Sequence, residues 1–305
     1  MSCDAEELQD YDVNAHVGAL FIILVLGSVG ALIPVITHYF KNMQPHPNVM
    51  VFANFFGAGV IISTAFIHMV LPAIENLTNE CLGDIVEAYE PLALLIVMAS
   101  IFFMHLLEFA ISRFGGGDGG GDDDHHSTEY EIQKDSDSES KKQSRGFLSL
   151  LLFELGIALH SIIIGVSLGV VSGDEFKTLL IALTFHQFFE GFALGSAIIL
   201  SEPSKKKTLA TILAFALSTP IGIAIGISIR NSFNENSKST LLLMGTLEAI
   251  SAGVLIYMGL VELLTFGLTL NPKFSSKSSS KASIVSAFFG LYCGAAAMSV
   301  IGKWA

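Results

Sequence analysis

The chain has 305 residues, of which 51% are hydrophobic and only 14% are charged. A soluble globular domain carries about a quarter charged residues, so this composition excludes an ordinary soluble enzyme and, for most of the chain, intrinsic disorder. The net charge of −12 argues against a nucleic-acid partner, because proteins that bind nucleic acids are basic. Such a chain is expected to have the lipid bilayer as its surroundings.

Eight apolar stretches are long enough to cross a bilayer, which takes about 20 apolar residues in a helix. In lipid, only helices and closed barrels satisfy all backbone polar groups, and the alternating polar pattern of a barrel is absent. The sequence therefore predicts an all-α integral membrane protein with eight transmembrane helices. The predicted spans are 17–40, 49–74, 91–113, 147–171, 178–200, 208–229, 241–268 and 281–301.

The Lys and Arg residues predict the orientation of these spans. If the N-terminus lies outside, 12 of the 16 Lys and Arg residues fall in or beside cytoplasmic loops. Cytoplasmic loops of membrane proteins are enriched in these residues, so both termini are predicted to be extracellular, with residues 1–16 as an acidic outer segment. Cys3 and Cys81 would then share the outer face, where they could form a disulfide.

A polar segment, 114–146, separates the third and fourth helices. It opens with a glycine run and continues with Asp, His, Ser, Glu and Lys residues, which cannot pack a core. We expect a disordered cytoplasmic loop, in which His125 and His126 are candidates for a weak metal contact. The predicted organisation is therefore 1–16 outside, helices 1–3 in 17–113, the loop 114–146, helices 4 and 5 in 147–200, and helices 6–8 in 201–305.

The polar residues inside the spans are candidates for function, because a charged side chain at a helix centre costs about 2.5–3.5 kcal/mol on insertion scales. The fourth and fifth spans carry the densest set. His186 and Glu190 are four residues apart and share a helix face. Small residues nearby allow the two helices to approach closely. The candidate site residues are His160, Ser161, His186, Gln187 and Glu190.

Imidazole and carboxylate ligands suit Zn²⁺, which usually takes four of them. Fe²⁺, Mn²⁺ and Cd²⁺ accept similar sets, so the residue types do not fix the metal. Two other interpretations remain open at this point, a proton relay without metal and histidines that only bond backbone carbonyls.

Other polar residues within the spans form a weaker group of candidates. His68, near the outer end of the second span, is either a ligand on the way to the site or a hydrogen-bonded interface histidine. Glu248 and Glu262 on the seventh span are interpreted as helix-packing residues. The accessory candidates for metal binding are His68, Glu154, His105 and Glu108.

Two motifs on the fourth and fifth spans are specific, His160–Gly169 (HSIIIGVSLG) and His186–Gly191 (HQFFEG). With them the chain resembles the ZIP (ZRT/IRT-like) family of divalent-metal transporters, and in particular its fungal and plant zinc- and iron-uptake branch. The further segments that carry the resemblance are Phe66–Pro72 (FIHMVLP), Glu154–Ile157 (ELGI), Ser218–Gly222 (STPIG), Ser251–Met258 (SAGVLIYM) and Gly302–Ala305 (GKWA).

The resemblance implies uptake of Zn²⁺ or Fe²⁺ into the cytoplasm by alternating access, with the metal as substrate and no cofactor. It places the metal between helices 4 and 5, on the five candidate site residues. It also implies the plasma membrane as location and a homodimer as assembly. Some members carry a bridging Glu where this chain has Ile164, so one principal metal ion is expected.

An intramembrane zinc-dependent hydrolase is the competing class of function, because a metal-activated water can act as a nucleophile. The sequence has no His-Glu-x-x-His motif, and Ser161 has no evident oxyanion partner. We therefore expect a transporter and not an enzyme.

Overall fold

The computed structural model describes most of the chain, and its described part contains helices but no strands. Eight long helices make up the bundle, and each is long and apolar enough to cross a membrane. The described residues are 3, 10–40, 45–83, 88–114, 129–201, 204–276 and 279–304. The helices are α1 (Val13–Tyr39), α2 (Pro47–Leu77), α3 (Leu92–Phe114), α4 (Glu129–Val170), α5 (Gly173–Ser201), α6 (Lys205–Ile229), α7 (Lys238–Thr269) and α8 (Lys281–Ile301).

These helices confirm the predicted all-α class and the predicted number of spans. Local sequence fixes several starts. The Asp12 carboxylate accepts hydrogen bonds from the backbone N–H groups of Asn14 and Ala15, which caps α1. The Ser237 hydroxyl accepts from the N–H of Thr240 and caps α7.

The segment between α3 and α4 differs from the expected loop 114–146. The structure begins α4 at Glu129, so residues 129–146 are helical, whereas 115–128, including His125 and His126, lie outside the described residues. Residues 129–146 contain Glu, Lys, Gln and Arg, which are polar but also have high helix propensity. Helix is added to an existing apolar helix without a new nucleation cost, and this explains the extension.

The helices pack as two groups. The first consists of α1, α4, α5 and α6, and the second of α2, α3, α7 and α8. Glycines allow the closest approaches within each group: a Cβ atom on Gly222 of α6 would lie 2.2 Å from the carbonyl oxygen of Ile162 on α4. The two groups meet where α2 contacts α5 and where α4 contacts α7, and these four helices carry the site residues discussed below.

Two of the helices change geometry within the bundle. α2 is π-helical over Thr64–Val70, and α7 is π-helical over Met258–Thr269. π-helical turns, with their i→i+5 hydrogen bonds, are rare and often occur at functional sites. His68 lies in the first of these stretches.

Contacts at one end of the bundle join segments that were all predicted to lie outside. Cys3 and Cys81 form a disulfide, the pairing that the sequence left open. The side-chain amide of Asn234, between α6 and α7, donates a hydrogen bond to the carbonyl oxygen of Cys3. The hydroxyl of Tyr11 donates to the carbonyl oxygen of Gly169, at the end of α4. The N-terminal segment and the three connections thus share one face of the bundle.

Candidate metal centre

The five candidate site residues are brought together in the interior of the bundle. His160 and Ser161 lie on α4, and His186, Gln187 and Glu190 lie on α5. None of the five is more than 1% exposed. The spacing of four residues places His186 and Glu190 one turn apart on the same face of α5, where they face α4.

Three of these residues form a cluster that could hold a metal ion. One ligand atom from each of His160, His186 and Glu190 lies within 4.8 Å of the other two. The closest pair is Nε2 of His186 and Oε1 of Glu190, which are 3.1 Å apart. Ligand atoms at about 2.0–2.2 Å from a tetrahedral Zn²⁺ are separated by somewhat more than 3 Å, so small side-chain movements would complete such a geometry.

Apart from the 3.1 Å contact between His186 and Glu190, five polar atoms of this cluster have no hydrogen-bond partner within the described part of the chain. They are Nε2 of His160, both ring nitrogens of His186 and both carboxylate oxygens of Glu190. Buried polar atoms are normally paired, and leaving one unpaired costs about 1–3 kcal/mol. A cation bound among these atoms would satisfy them together, which is the strongest indication of a binding site in the structure.

Ser161 and Gln187 are oriented differently from these three residues. The hydroxyl of Ser161 is buried without a partner among the described residues, so it is free to supply an oxygen ligand. The amide oxygen of Gln187 instead accepts a hydrogen bond of 2.8 Å from the hydroxyl of Thr219 on α6. Gln187 can become a ligand only if its amide turns away from Thr219.

His68 lies beside the cluster. Its ring is buried, and its centroid is 4.8 Å from that of His186, edge to face. Its Nε2 lies 3.0 Å from the carbonyl oxygen of Met298 on α8. In the tautomer that donates this hydrogen bond, Nδ1 keeps its lone pair, so the two roles considered for His68 are compatible.

The other accessory candidates occupy separate places. His105 and Glu108 of α3 both contact the hydroxyl of Tyr257 on α7, which lies 3.2 Å from His105 Nδ1 and donates to Glu108. Glu154 of α4 is buried and bonds Thr211 of α6. Neither group is part of the cluster of His160, His186 and Glu190.

Glu248 of α7 contacts the cluster, which the sequence interpretation did not predict. It is 3% exposed, and its Oε2 lies 3.1 Å from Nδ1 of His160. The only sequence signal was a charged residue within an apolar span. That signal does not reveal which helix the side chain faces, and Glu248 had been assigned to helix packing.

The fold and the cluster together define a class of protein: a helical membrane protein with a buried imidazole–carboxylate site suited to a divalent cation. A family model described as "ZIP Zinc transporter" matches residues 13–302. The chain belongs to the ZIP family, which confirms the predicted resemblance and the expectation of a transporter and not an enzyme.

Three relatives show where the chain stands within the family. It is 38% identical to zinc-regulated transporter 1 of Candida albicans, over 97% of this chain and 62% of that protein. It is 36% identical to zinc transporter 3 of Arabidopsis thaliana, over 99% of this chain and 90% of that protein. It is 34% identical to Fe(2+) transport protein 1 of Arabidopsis thaliana, over 94% of this chain and 84% of that protein. The chain thus spans less than two thirds of the Candida relative and most of the other two.

Proposed function

We propose that this protein carries Zn²⁺, or a similar divalent ion such as Fe²⁺, across a membrane into the cytoplasm. The observation that carries the proposal is the cluster of His160, His186 and Glu190, whose buried ligand atoms converge without other partners. One relative is named as a zinc transporter, one as a zinc-regulated transporter and one as an Fe(2+) transport protein, which supports both metals as substrates.

The ligand set suits a transported ion better than a permanently bound one. Glu190 supplies negative charge, and His160 and His186 supply neutral nitrogen ligands. No thiolate is present in the cluster, so the affinity need not be high, and a transported ion must be able to leave. Ser161 is the natural source of a further oxygen, and Gln187 would join after turning from Thr219. Ile164 offers no ligand, which supports a single ion.

The position of the cluster supports alternating access. His160 and His186 belong to the first helix group, whereas His68 and Glu248 belong to the second. A relative shift of the two groups would open the site to one end of the bundle and close it from the other. An ion that enters from the end bearing the Cys3–Cys81 disulfide would bind His68 before it reaches the site. Disulfides persist outside the cytosol, which supports that end as the outer one and the plasma membrane as the location.

Uptake into sealed proteoliposomes tests the proposal. We expect saturable uptake of tracer Zn²⁺ by the intact protein and its loss in Glu190→Gln and His160→Ala. The matched controls are Glu175→Gln, an exposed residue at the start of α5, and His38→Ala, near the end of α1; both should transport normally. Competition by Fe²⁺, Mn²⁺ and Cd²⁺ ranks the substrates. Metal binding without flux in sealed, correctly oriented vesicles would contradict transport and reopen the hydrolase alternative.

A further inference from the structure

The contact between Glu248 and His160 is unusual for two residues on different spans. Both side chains are buried, at 3% and 0% exposure, and the carboxylate oxygen Oε2 lies 3.1 Å from the ring nitrogen Nδ1. A carboxylate within a membrane span is costly, and a packing role would be filled at lower cost by an apolar side chain. The carboxylate must therefore contribute something that an apolar residue could not.

The geometry of His160 shows what that contribution is. Nδ1 faces Glu248, whereas Nε2 has no hydrogen-bond partner in the described part of the chain and is free for the cluster. An ionised carboxylate can only accept hydrogen bonds, so with Glu248 ionised and the ring neutral, Nδ1 carries the ring proton. The lone pair is then on Nε2, the atom that a metal needs.

We propose that Glu248 is a positioning residue for the transported ion: it fixes the tautomer and the ring orientation of His160 so that Nε2 faces the metal. The proposal rests on the cluster of His160, His186 and Glu190 being the transport site. Metal-bound histidines commonly donate their second N–H to a carboxylate in this way, and losing that partner typically costs about 10- to 100-fold in metal affinity or activity.

The contact also crosses the boundary between the two helix groups. His160 belongs to α4 in the first group and Glu248 to α7 in the second. Any sliding of one group past the other would separate the carboxylate from the imidazole. The ring would then lose its fixed orientation, and the site would bind the ion less tightly when it faces the other side. Glu248 thereby connects metal affinity to the arrangement of the helices.

Zinc titration of the purified, detergent-solubilised chain tests this inference. We expect Glu248→Leu to weaken Zn²⁺ binding by about 10- to 100-fold. Glu248→Gln keeps an oxygen that accepts the Nδ1 hydrogen bond. On a logarithmic scale, its loss of Zn²⁺ affinity should therefore be no more than about a third of the loss in Glu248→Leu. In a His160→Ala background, Glu248→Leu should cause no further loss, because the ring that it orients is gone.

Three outcomes would overturn the inference: Glu248→Leu binding Zn²⁺ as tightly as the intact chain, Glu248→Gln losing as much as Glu248→Leu, or the effect of Glu248→Leu persisting in full without His160. Glu262→Gln, which removes a carboxylate further along α7, is the control for charge. Size-exclusion profiles and thermal unfolding verify that each variant is folded. If His160→Ala alone leaves Zn²⁺ binding unchanged, the proposed site itself is wrong; if it weakens binding and Glu248→Leu does not, only the role of Glu248 is wrong.

Discussion

At the scale of single residues, the hydrogen bond between Thr219 and Gln187 determines which atoms are left for the metal. Both residues are buried, and the Thr219 hydroxyl occupies the amide oxygen of Gln187 at 2.8 Å. The amide nitrogen has no partner among the described residues and cannot serve as a metal ligand. α6 thus contributes to the site without supplying a ligand, because it controls the direction of a side chain on α5.

Replacing Thr219 by Val tests this contact. Val has nearly the same shape but no hydroxyl, so the amide oxygen of Gln187 loses its partner. Leaving a buried acceptor unpaired costs about 1–3 kcal/mol, and we expect a lower midpoint of thermal unfolding in detergent. Thr184→Val is the matched control, since the hydroxyl of Thr184 donates to the Leu180 carbonyl oxygen within its own helix and not to a side chain on another described helix. Equal unfolding midpoints for the two variants would contradict a special role for the Thr219 contact.

Sequence spacing predicts contacts between residues on the same helix, but not contacts between residues on different helices. His186 and Glu190 could be paired in advance, because a spacing of four residues places them on one face of any helix. His160 and Glu248 are separated by 88 positions along the chain, and no local rule places their side chains together. The same limit applies to His105 and Glu108, whose common partner, Tyr257, lies on another span.

At the scale of helices, the close packing of α4 on α6 depends on facing glycines. Gly165 and Gly169 of α4 lie against Gly222 and Gly226 of α6, and a Cβ atom on any of these would come within 2.6 Å of a backbone carbonyl oxygen. Backbones this close leave no room for side chains, and small residues are the usual solution for helices in lipid. This packing holds His160 of α4 in a fixed position within the first helix group.

Gly222→Ala tests the importance of this packing. The added methyl would lie 2.2 Å from the carbonyl oxygen of Ile162, so α6 and α4 must move apart. Overpacking of this kind costs about 1–3 kcal/mol, and we expect both a lower unfolding midpoint and weaker zinc uptake. Gly18→Ala on α1 is the control, because nothing lies within 4 Å of the new methyl there. The interpretation is wrong if Gly222→Ala is as stable as Gly18→Ala.

The helices themselves were largely predictable, whereas their irregularities were not. Apolar runs of the required length gave all eight spans, with ends displaced by only a few residues. The helical residues 129–146 were missed because polar helix formers and polar loops have similar compositions. The π-helical stretches Thr64–Val70 and Met258–Thr269 were not predicted from the sequence.

At the scale of the whole molecule, sidedness is the property on which the direction of transport depends. The distribution of Lys and Arg predicts that the N-terminus is outside, and the Cys3–Cys81 disulfide is of the kind that forms in oxidising compartments. Cys293, the third cysteine, lies within α8 and is not disulfide-bonded. The three cysteines therefore provide a direct assay of orientation.

Labelling of intact cells with a membrane-impermeant maleimide should settle the orientation. In Cys81→Ser the thiol of Cys3 is released, and we expect it to react from outside without permeabilisation. The intact protein should remain unlabelled, since its outer cysteines are paired and Cys293 is within the bilayer. Cys81→Ser combined with Cys3→Ser is the control and should not react. If the thiol of Cys3 in Cys81→Ser reacts only after the cells are permeabilised, the predicted orientation is wrong.

The Cys3–Cys81 disulfide has a mechanical consequence. Cys81 follows α2, in the second helix group, whereas the chain from Cys3 leads into α1, in the first group. The bond therefore connects the two helix groups covalently. The chain from Cys3 to Val13 makes ten residue-to-residue steps, which could extend over about 33–36 Å at most. The bond therefore limits how far the start of α1 can travel from the α2–α3 connection when one group moves relative to the other.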